Sequence, residues 1–398
     1  MYKSNKRLID ILFVVLVASF IGMLAGSGYI YSLNNKKEKK DEGNLTKIDE
    51  MYNMIVEKYY QDVDKDTIAE AAISGMLSVL DKNTTYMDSA TTNNFNKKMQ
   101  GEYYGIGIEA LTVDKGTMVI STIKDSPAYN AGIQDGDIII SVNKEKLEGK
   151  SATFFTDLVA KTSDELKLVI SRDGREINID IIPEKIVIQS VNTNKFVMNG
   201  KNIGYINISI FAANTASQFS VKLKSLEENK IDALIIDVRN NSGGYLSQAS
   251  SILELFMPKD TILYQTESKT SLVKRKDETE EQRNYPVAIL VNESSASASE
   301  VLASCFMENT NSIIIGTRTY GKGTVQETIN VLDNSKAKIT TKKWLTPKGN
   351  WIDEKGITPN IIVELSDKYL VSPIIANDNQ LDRAISELSM WLNILFLM

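Results

Sequence analysis

The chain has 398 residues, 42% of them hydrophobic, enough for two or three compact cores, and its 45 Lys and Arg against 51 Asp and Glu leave a net charge of -6, too acidic for a nucleic-acid partner. It contains no histidine, which excludes a Ser-His-Asp triad, a Cys-His pair and any His-ligated metal. The single Cys305 can form no internal disulfide and, with no cationic neighbour in sequence, reads as buried helix packing.

Lys3, Lys6 and Arg7 precede an apolar run from Ile11 to Tyr31, long enough as a helix to cross a bilayer core of about 30 Å. Residues 1–43 are therefore expected to form a short N-terminal stub, an uncleaved transmembrane signal anchor and a linker, the stub being cytoplasmic only by the family resemblance given below. Lys36, Lys37, Lys39 and Lys40 sit on the far flank, so charge alone does not orient the span. Residues 44–100 read as a helical region: Ile48, Met51, Tyr52, Ile55, Val56 and Tyr59, and then Ile68, Ala72, Met76 and Leu80, recur at three- and four-residue spacing. The stripe suits packing on the rest of the chain or pairing with a second copy, which leaves a homodimer open.

Residues 101–183 change to short β-rich runs, at Ile106 to Leu111, Met118 to Ile123, Asp137 to Val142, Leu166 to Ser171 and Glu176 to Ile182. Among them stand Tyr104-Gly105-Ile106-Gly107-Ile108 and, later, Ser126-Pro127-Ala128 with Ala131-Gly132-Ile133-Gln134-Asp135-Gly136-Asp137-Ile138-Ile139. The pair resembles a bacterial PDZ domain. The resemblance implies that backbone amides of Gly105, Ile106, Gly107 and Ile108 receive a peptide's terminal carboxylate while the peptide adds as a strand.

Residues 184–366 alternate apolar strands, at Ile203 to Ile210, Ala233 to Val238, Val287 to Val291 and Ile313 to Gly316, with helical patterns at Thr215 to Leu226, Ser247 to Phe256 and Ala298 to Glu308. That order predicts an α/β core with a mixed sheet, interrupted upstream by the β-rich insert. The charged segment Glu267 to Arg283 reads as a solvated loop or insertion. Residues 367–398 form an apolar tail ending in Trp391-Leu392-Asn393-Ile394-Leu395-Phe396-Leu397-Met398, expected as a helix packed on the body, with competition for the PDZ groove as the alternative.

Without histidine, a nucleophile is sought at a strand-to-helix junction. Val287 to Val291 runs into Asn292-Glu293-Ser294-Ser295-Ala296-Ser297-Ala298-Ser299-Glu300 and then a helical pattern; by itself Ser297 with Glu300 is also a plain capping box. The segment Tyr320-Gly321-Lys322-Gly323-Thr324-Val325-Gln326 follows the next strand and sets one lysine between two glycines. An amine bent inward there loses water, and its pKa falls toward the range in which it accepts a serine proton.

Together these segments resemble the C-terminal processing peptidases, or tail-specific proteases. The resemblance implies Ser297 as nucleophile, Lys322 as general base, Gln326 holding that lysine, and an oxyanion hole made by the amides of Gly243, within Asp237-Val238-Arg239-Asn240-Asn241-Ser242-Gly243-Gly244, and Ala298. It extends from Leu45 to Arg383 and takes in Leu80-Asp81-Lys82-Asn83-Thr84-Thr85-Tyr86 and Lys355-Gly356-Ile357-Thr358-Pro359-Asn360. One departure stands out: Val159-Ala160-Lys161-Thr162-Ser163-Asp164 replaces the Arg-Gly-x-x-Gly-Thr of many relatives. The resemblance further implies no metal or organic cofactor, protein or peptide substrates with free C-termini, and a body held outside the cytoplasm on a single-pass membrane anchor through residues 11–31. The rivals are a non-catalytic PDZ adaptor and a Ser-Lys hydrolase of another acyl substrate.

Overall fold

A computed structural model describes residues 43–395; the expected anchor over residues 11–31 and the last three residues of the tail lie outside them. Among the described residues no helix is long and apolar enough to cross a membrane. The chain divides between Leu80 and Asp81 into two units.

The first unit holds helix α1 over 43–58 and α2, Lys65–Ser78. Asp64 starts α2 by accepting from Asp66 N at 3.0 Å and Thr67 Oγ1 at 3.0 Å, which satisfies an orphan amide of the first turn. The apolar spacing does form helices, but Leu45, Ile48, Met51, Ile55 and Tyr59 stay exposed and α2 buries none of its residues.

The second unit opens with β1 (Thr85–Met87) and α3 (Ser89–Gln100), the latter capped by Asp88, whose Oδ1 accepts from Thr91 N at 2.7 Å. Gly101 ends α3 at φ +72°. The next strand, β2 (Glu102–Gly105), pairs antiparallel with β9 (Glu184–Val187), so the chain enters and leaves the β-rich insert through one two-stranded ribbon. That is the geometry an inserted domain needs, since both its ends must meet. Between them lie β3 (Ile108–Val113), β4 (Gly116–Thr122), α4 (Pro127–Asn130), β5 (Ile138–Val142), β6 (Glu145–Lys146), α5 (Ala152–Ala160), β7 (Leu166–Arg172) and β8 (Arg175–Ile181). The sheet order is β3-β4-β5-β7-β8, with β6 on β5. Its core gathers Ile106, Val119, Ile139, Leu147, Phe155, Leu168 and Ile170. The Gln134 to Asp137 turn is tied by Asp137, whose carboxylate receives Gln134 N at 2.8 Å and Arg172 at 2.6 and 2.7 Å.

The main sheet runs β10 (Val191–Met198), β11 (Lys201–Ile208), β12 (Ala233–Asp237), β15 (Val287–Val291), β16 (Ile313–Gly316) and β19 (Ile361–Ile362), antiparallel between β10 and β11 and parallel thereafter. Its central strands β12 and β15 are buried along their whole length, which is why they read as unbroken apolar runs. Leu234 and Ile236 face the cluster built on α6 (Thr215–Glu228), α7 (Leu246–Leu253) and α8 (Ala298–Asn309); Ala233 and Ile235 face the opposite one. The short α9 (Asp367–Val371) leads to α10 (Asn379–Leu395), which covers that second face with Leu381, Ala384, Leu388 and Leu392. The described part of the tail is thus a packed helix. Arg239, just past β12, locks it in place by reaching both Asp237 (2.6 Å) and Asp378 (2.7 Å) in a nearly dry setting.

A second sheet combines β1, β13 (Ile262–Glu267), β14 (Leu272–Lys276), β17 (Thr324–Asn330) and β18 (Lys336–Leu345). The stretch Glu267 to Arg283, expected as a loop, therefore carries a strand; Lys274, Arg275 and Lys276 pair across to β13, and Arg275 reaches the Glu254 carboxylate at 2.6 Å.

Candidate active site

In a parallel sheet the loops after the strands open at one edge, where ligands commonly bind. Here the loops after β12 and β15 are laced together. Asn292 Oδ1 accepts from Asn240 N at 2.9 Å, Ala296 N donates to the Asn241 carbonyl at 3.0 Å, and Ser299 Oγ donates to the same oxygen at 2.8 Å. The lacing holds Ser297 at φ 55°, ψ -114°, a backbone conformation costly for any residue with a Cβ, directly before α8. It also explains Gly243, at φ +104°: a Cβ there would stand 2.8 Å from Ser297 Cβ.

The turn carrying Lys322 is bound to the serine loop by one side chain. Glu300, fully buried, accepts from Ser297 N (2.8 Å) and Lys322 N (2.9 Å) on one oxygen, and from Thr319 Oγ1 (2.6 Å) and Gly321 N (2.7 Å) on the other. Burial raises its pKa, while these four donors favour the carboxylate. The capping-box half of this pattern was legible; the three bonds to the lysine turn were not. Tyr320 N adds a bond to the Ser295 carbonyl at 3.0 Å. On the far side Trp344 Nε1 donates to the Lys322 carbonyl at 2.7 Å and Trp351 Nε1 to that of Gly323 at 3.0 Å. Gly321 is tight against the Lys355 to Pro359 motif, since a Cβ on it would meet Gly356 N at 2.7 Å.

Ser297, Lys322, Gln326 and Gly243 thereby line one cleft of about 900 Å³. Lys322 pairs with no carboxylate among the described residues. Burial pushes its pKa down to about 8, helped by the like charge of Lys338 and only partly offset by Glu300 and Asp81. An amine in that state can take a hydroxyl proton near neutral pH.

Gln326 lies one step further along. Its Nε2 donates to Thr324 Oγ1 (2.8 Å) and Thr340 Oγ1 (3.1 Å), so its Oε1 is the acceptor that remains for an ammonium. Thr340 Oγ1 passes the chain on to Asp81 at 3.2 Å, and Asp81 also receives Asn83 N and both the amide and hydroxyl of Thr84. Burial works to raise the Asp81 pKa, but these bonds outweigh it and hold the group below the ordinary carboxylate value. Asp81 and Glu300 are thus site residues whose full roles appear only with the tertiary contacts; an Asp followed by Lys-Asn-Thr-Thr is, read by itself, at most a turn signal.

The two amides expected as an oxyanion hole differ. That of Ala298 has no partner among the described residues, whereas that of Gly243 donates to Asn241 Oδ1 at 2.9 Å. In the β-rich insert, Gly105, Ile106, Gly107 and Ile108 line a separate groove of about 40 Å³ with Tyr103, Phe155 and Val159. Gly107, at φ +79°, is pressed against Ser126, which accepts from Tyr129 N and caps α4.

Residues 202–363 match the family model described as Peptidase family S41, residues 94–171 the PDZ domain model, and residues 24–91 the model of the activating protease CtpB N-terminal domain. The chain is 36% identical over 335 residues to the carboxy-terminal processing protease CtpB of Bacillus subtilis, covering 83% of this chain and 70% of that one. It is 34% identical to the carboxy-terminal processing protease CtpA of the same organism, over 94% of this chain and 81% of the relative. A crystal structure of a putative S41 protease from Bacteroides fragilis shares the fold, with a TM-score of 0.51 and 16% identity over 85% of this chain and 92% of that one. The chain belongs to peptidase family S41, as a serine-type carboxy-terminal processing protease with a PDZ domain.

Proposed function

We propose that the protein is a membrane-anchored serine endopeptidase that captures protein C-termini in its PDZ groove and cleaves peptide bonds with a Ser297–Lys322 dyad. The observation that carries this reading is the placing of Lys322: a half-buried amine with no carboxylate partner among the described residues, in the same cleft as Ser297, its backbone amide and that of Ser297 sharing a single oxygen of Glu300. Lys322 takes the Ser297 proton as the hydroxyl attacks the peptide carbonyl, then returns it to the leaving amine; water repeats the cycle on the acyl enzyme. The Ala298 amide meets the oxyanion, joined by that of Gly243, which shares itself with Asn241. Gln326 Oε1 orients the lysine. No step calls for a metal or an organic cofactor.

The family assignment disfavours a non-catalytic adaptor. Incubating wild type and Ser297→Ala with a mixture of cell-surface proteins and sequencing new C-termini tests the reading; equal sets of ends from both proteins would refute it. For the anchor, residues 11–31 would span the membrane with the N-terminus inside and the catalytic body outside. External protease added to intact cells should then digest the body, and full protection would overturn this topology.

A further inference from the structure

The cleft holds a second lysine that the mechanism above does not use. Lys338 lies on β18 opposite Thr328 of β17, and the two-residue period of the strand puts Lys336, Lys338 and Thr340 on one face. Both neighbours are engaged. Lys336 Nζ donates to Asn96 Oδ1 at 2.9 Å, and Thr340 Oγ1 stands between Gln326 and Asp81. Lys338, which lines the cleft together with Lys322, has no hydrogen-bond or ion-pair partner among the described residues; its Nζ sits 5.9 Å from the centre of the Phe95 ring.

None of the acids nearby pairs with Lys338. Asp81 is held by four donors and Glu300 by four, and Glu293, at the cleft, accepts from Thr317 Oγ1 at 3.0 Å. Burial lowers the Lys338 pKa with no opposing carboxylate, which agrees with the contact geometry. An ammonium that is half out of water without an anion is destabilised, and one aromatic face returns only part of that loss. Lys98, exposed on α3 and also lining the cleft, adds a second positive charge. A ligand bearing a carboxylate would satisfy what the fold leaves unsatisfied.

We propose that Lys338 is the anion-binding residue of the cleft, receiving a carboxylate of the bound chain, either its terminal group or an Asp or Glu side chain, close to the bond that Ser297 attacks. This rests on the Ser297–Lys322 reading and adds to it a substrate preference: the enzyme favours chains that place a negative charge beside the cut. A lysine or arginine at that place is disfavoured by repulsion from Lys338 and Lys322.

The test uses the full chain and two peptide series. In C-terminally amidated peptides one position near the cut is Glu, Gln or Lys; in the second series one peptide is compared as free acid and as amide. Wild type should cleave in the order Glu, Gln, Lys, or acid before amide, with about a tenfold step in kcat/KM for the carboxylate, as a charge-assisted contact gives. Lys338→Gln should bring that step close to one and Lys338→Arg should keep it. The PDZ groove sees the same acid and amide in every variant, so the change in their ratio reports Lys338 alone. A loss confined to the Glu/Gln ratio assigns the side-chain carboxylate; one confined to the acid/amide ratio assigns the terminal group. A flat order in wild type overturns the inference without any variant. So does a Lys338→Gln enzyme whose preferences persist while only its pH profile moves, because the lysine then acts through Lys322. Cleavage that survives Ser297→Ala would instead remove the dyad reading underneath.

Discussion

The catalytic cleft and the PDZ groove are both built on glycine-rich turns, yet they are held in opposite ways. At the cleft, one buried carboxylate, Glu300, ties the serine loop to the lysine turn through four hydrogen bonds, and two tryptophans clamp the other side of the lysine. At the groove, the Gly105 to Ile108 turn is held by backbone bonds from Ile123 N to the Gly107 carbonyl and Ala128 N to that of Ile106, with one side-chain bond from Ser126 Oγ, around a space of about 40 Å³ against about 900 Å³ at the cleft. Those bonds of Glu300 place Ser297 and Lys322 in one cleft, the kind of arrangement electrostatic preorganisation requires. The groove has room for little more than an apolar end residue unless it opens on binding.

The sharpest way to break this contrast is at Glu300. Glu300→Gln keeps the shape but turns an NH2 toward two of the four donors, leaving at least two buried groups unsatisfied at about 1–3 kcal/mol each. Stability should fall by about 2–6 kcal/mol, read from the urea midpoint, and acylation of Ser297 by a serine-reactive probe should fall with it. A stable Glu300→Gln protein that is acylated at the wild-type rate would show that the brace is not what joins the two loops.

A smaller effect is expected at the groove. Gly107→Ala forces a Cβ into a left-handed backbone at φ +79° and to 2.2 Å from Ser126 Cβ, so the turn must move. The ratio of protein cleavage to small-probe acylation should drop about tenfold, because the damage falls on capture rather than on chemistry. An unchanged ratio would separate the groove from substrate selection.

The same contrast sets what the sequence could reveal. The parallel strands β11, β12, β15 and β16, covered by helices on both faces, announced themselves as apolar runs, and α6 to α8 followed from their spacing. The segments bearing Ser297, Lys322 and Gly243 stood out as short motifs at strand ends. The second sheet did not. Its strands carry Lys274, Arg275, Lys276, Lys336 and Lys338, and a segment so charged reads as solvated until its partner strand is known. Glu300 showed its local half, three residues after Ser297, but its bonds to Thr319, Gly321 and Lys322 span about twenty positions and exist only in the fold. Asp81 and Lys338 were silent for the same reason.

The central claim is that Lys322, half-buried and without an ion-pair partner among the described residues, is the base. Its neutral form is the active one, so activity must rise as pH climbs through its pKa. The direct measurement is the rate of Ser297 acylation by a small serine-reactive probe against pH, for wild type and for Lys322→Arg. The account predicts a rise through about 8 in wild type and almost no acylation at any working pH in Lys322→Arg, whose guanidinium stays protonated. A wild-type rise found only near the ordinary lysine value of about 10.4, or a Lys322→Arg enzyme acylated at the wild-type rate, would contradict it.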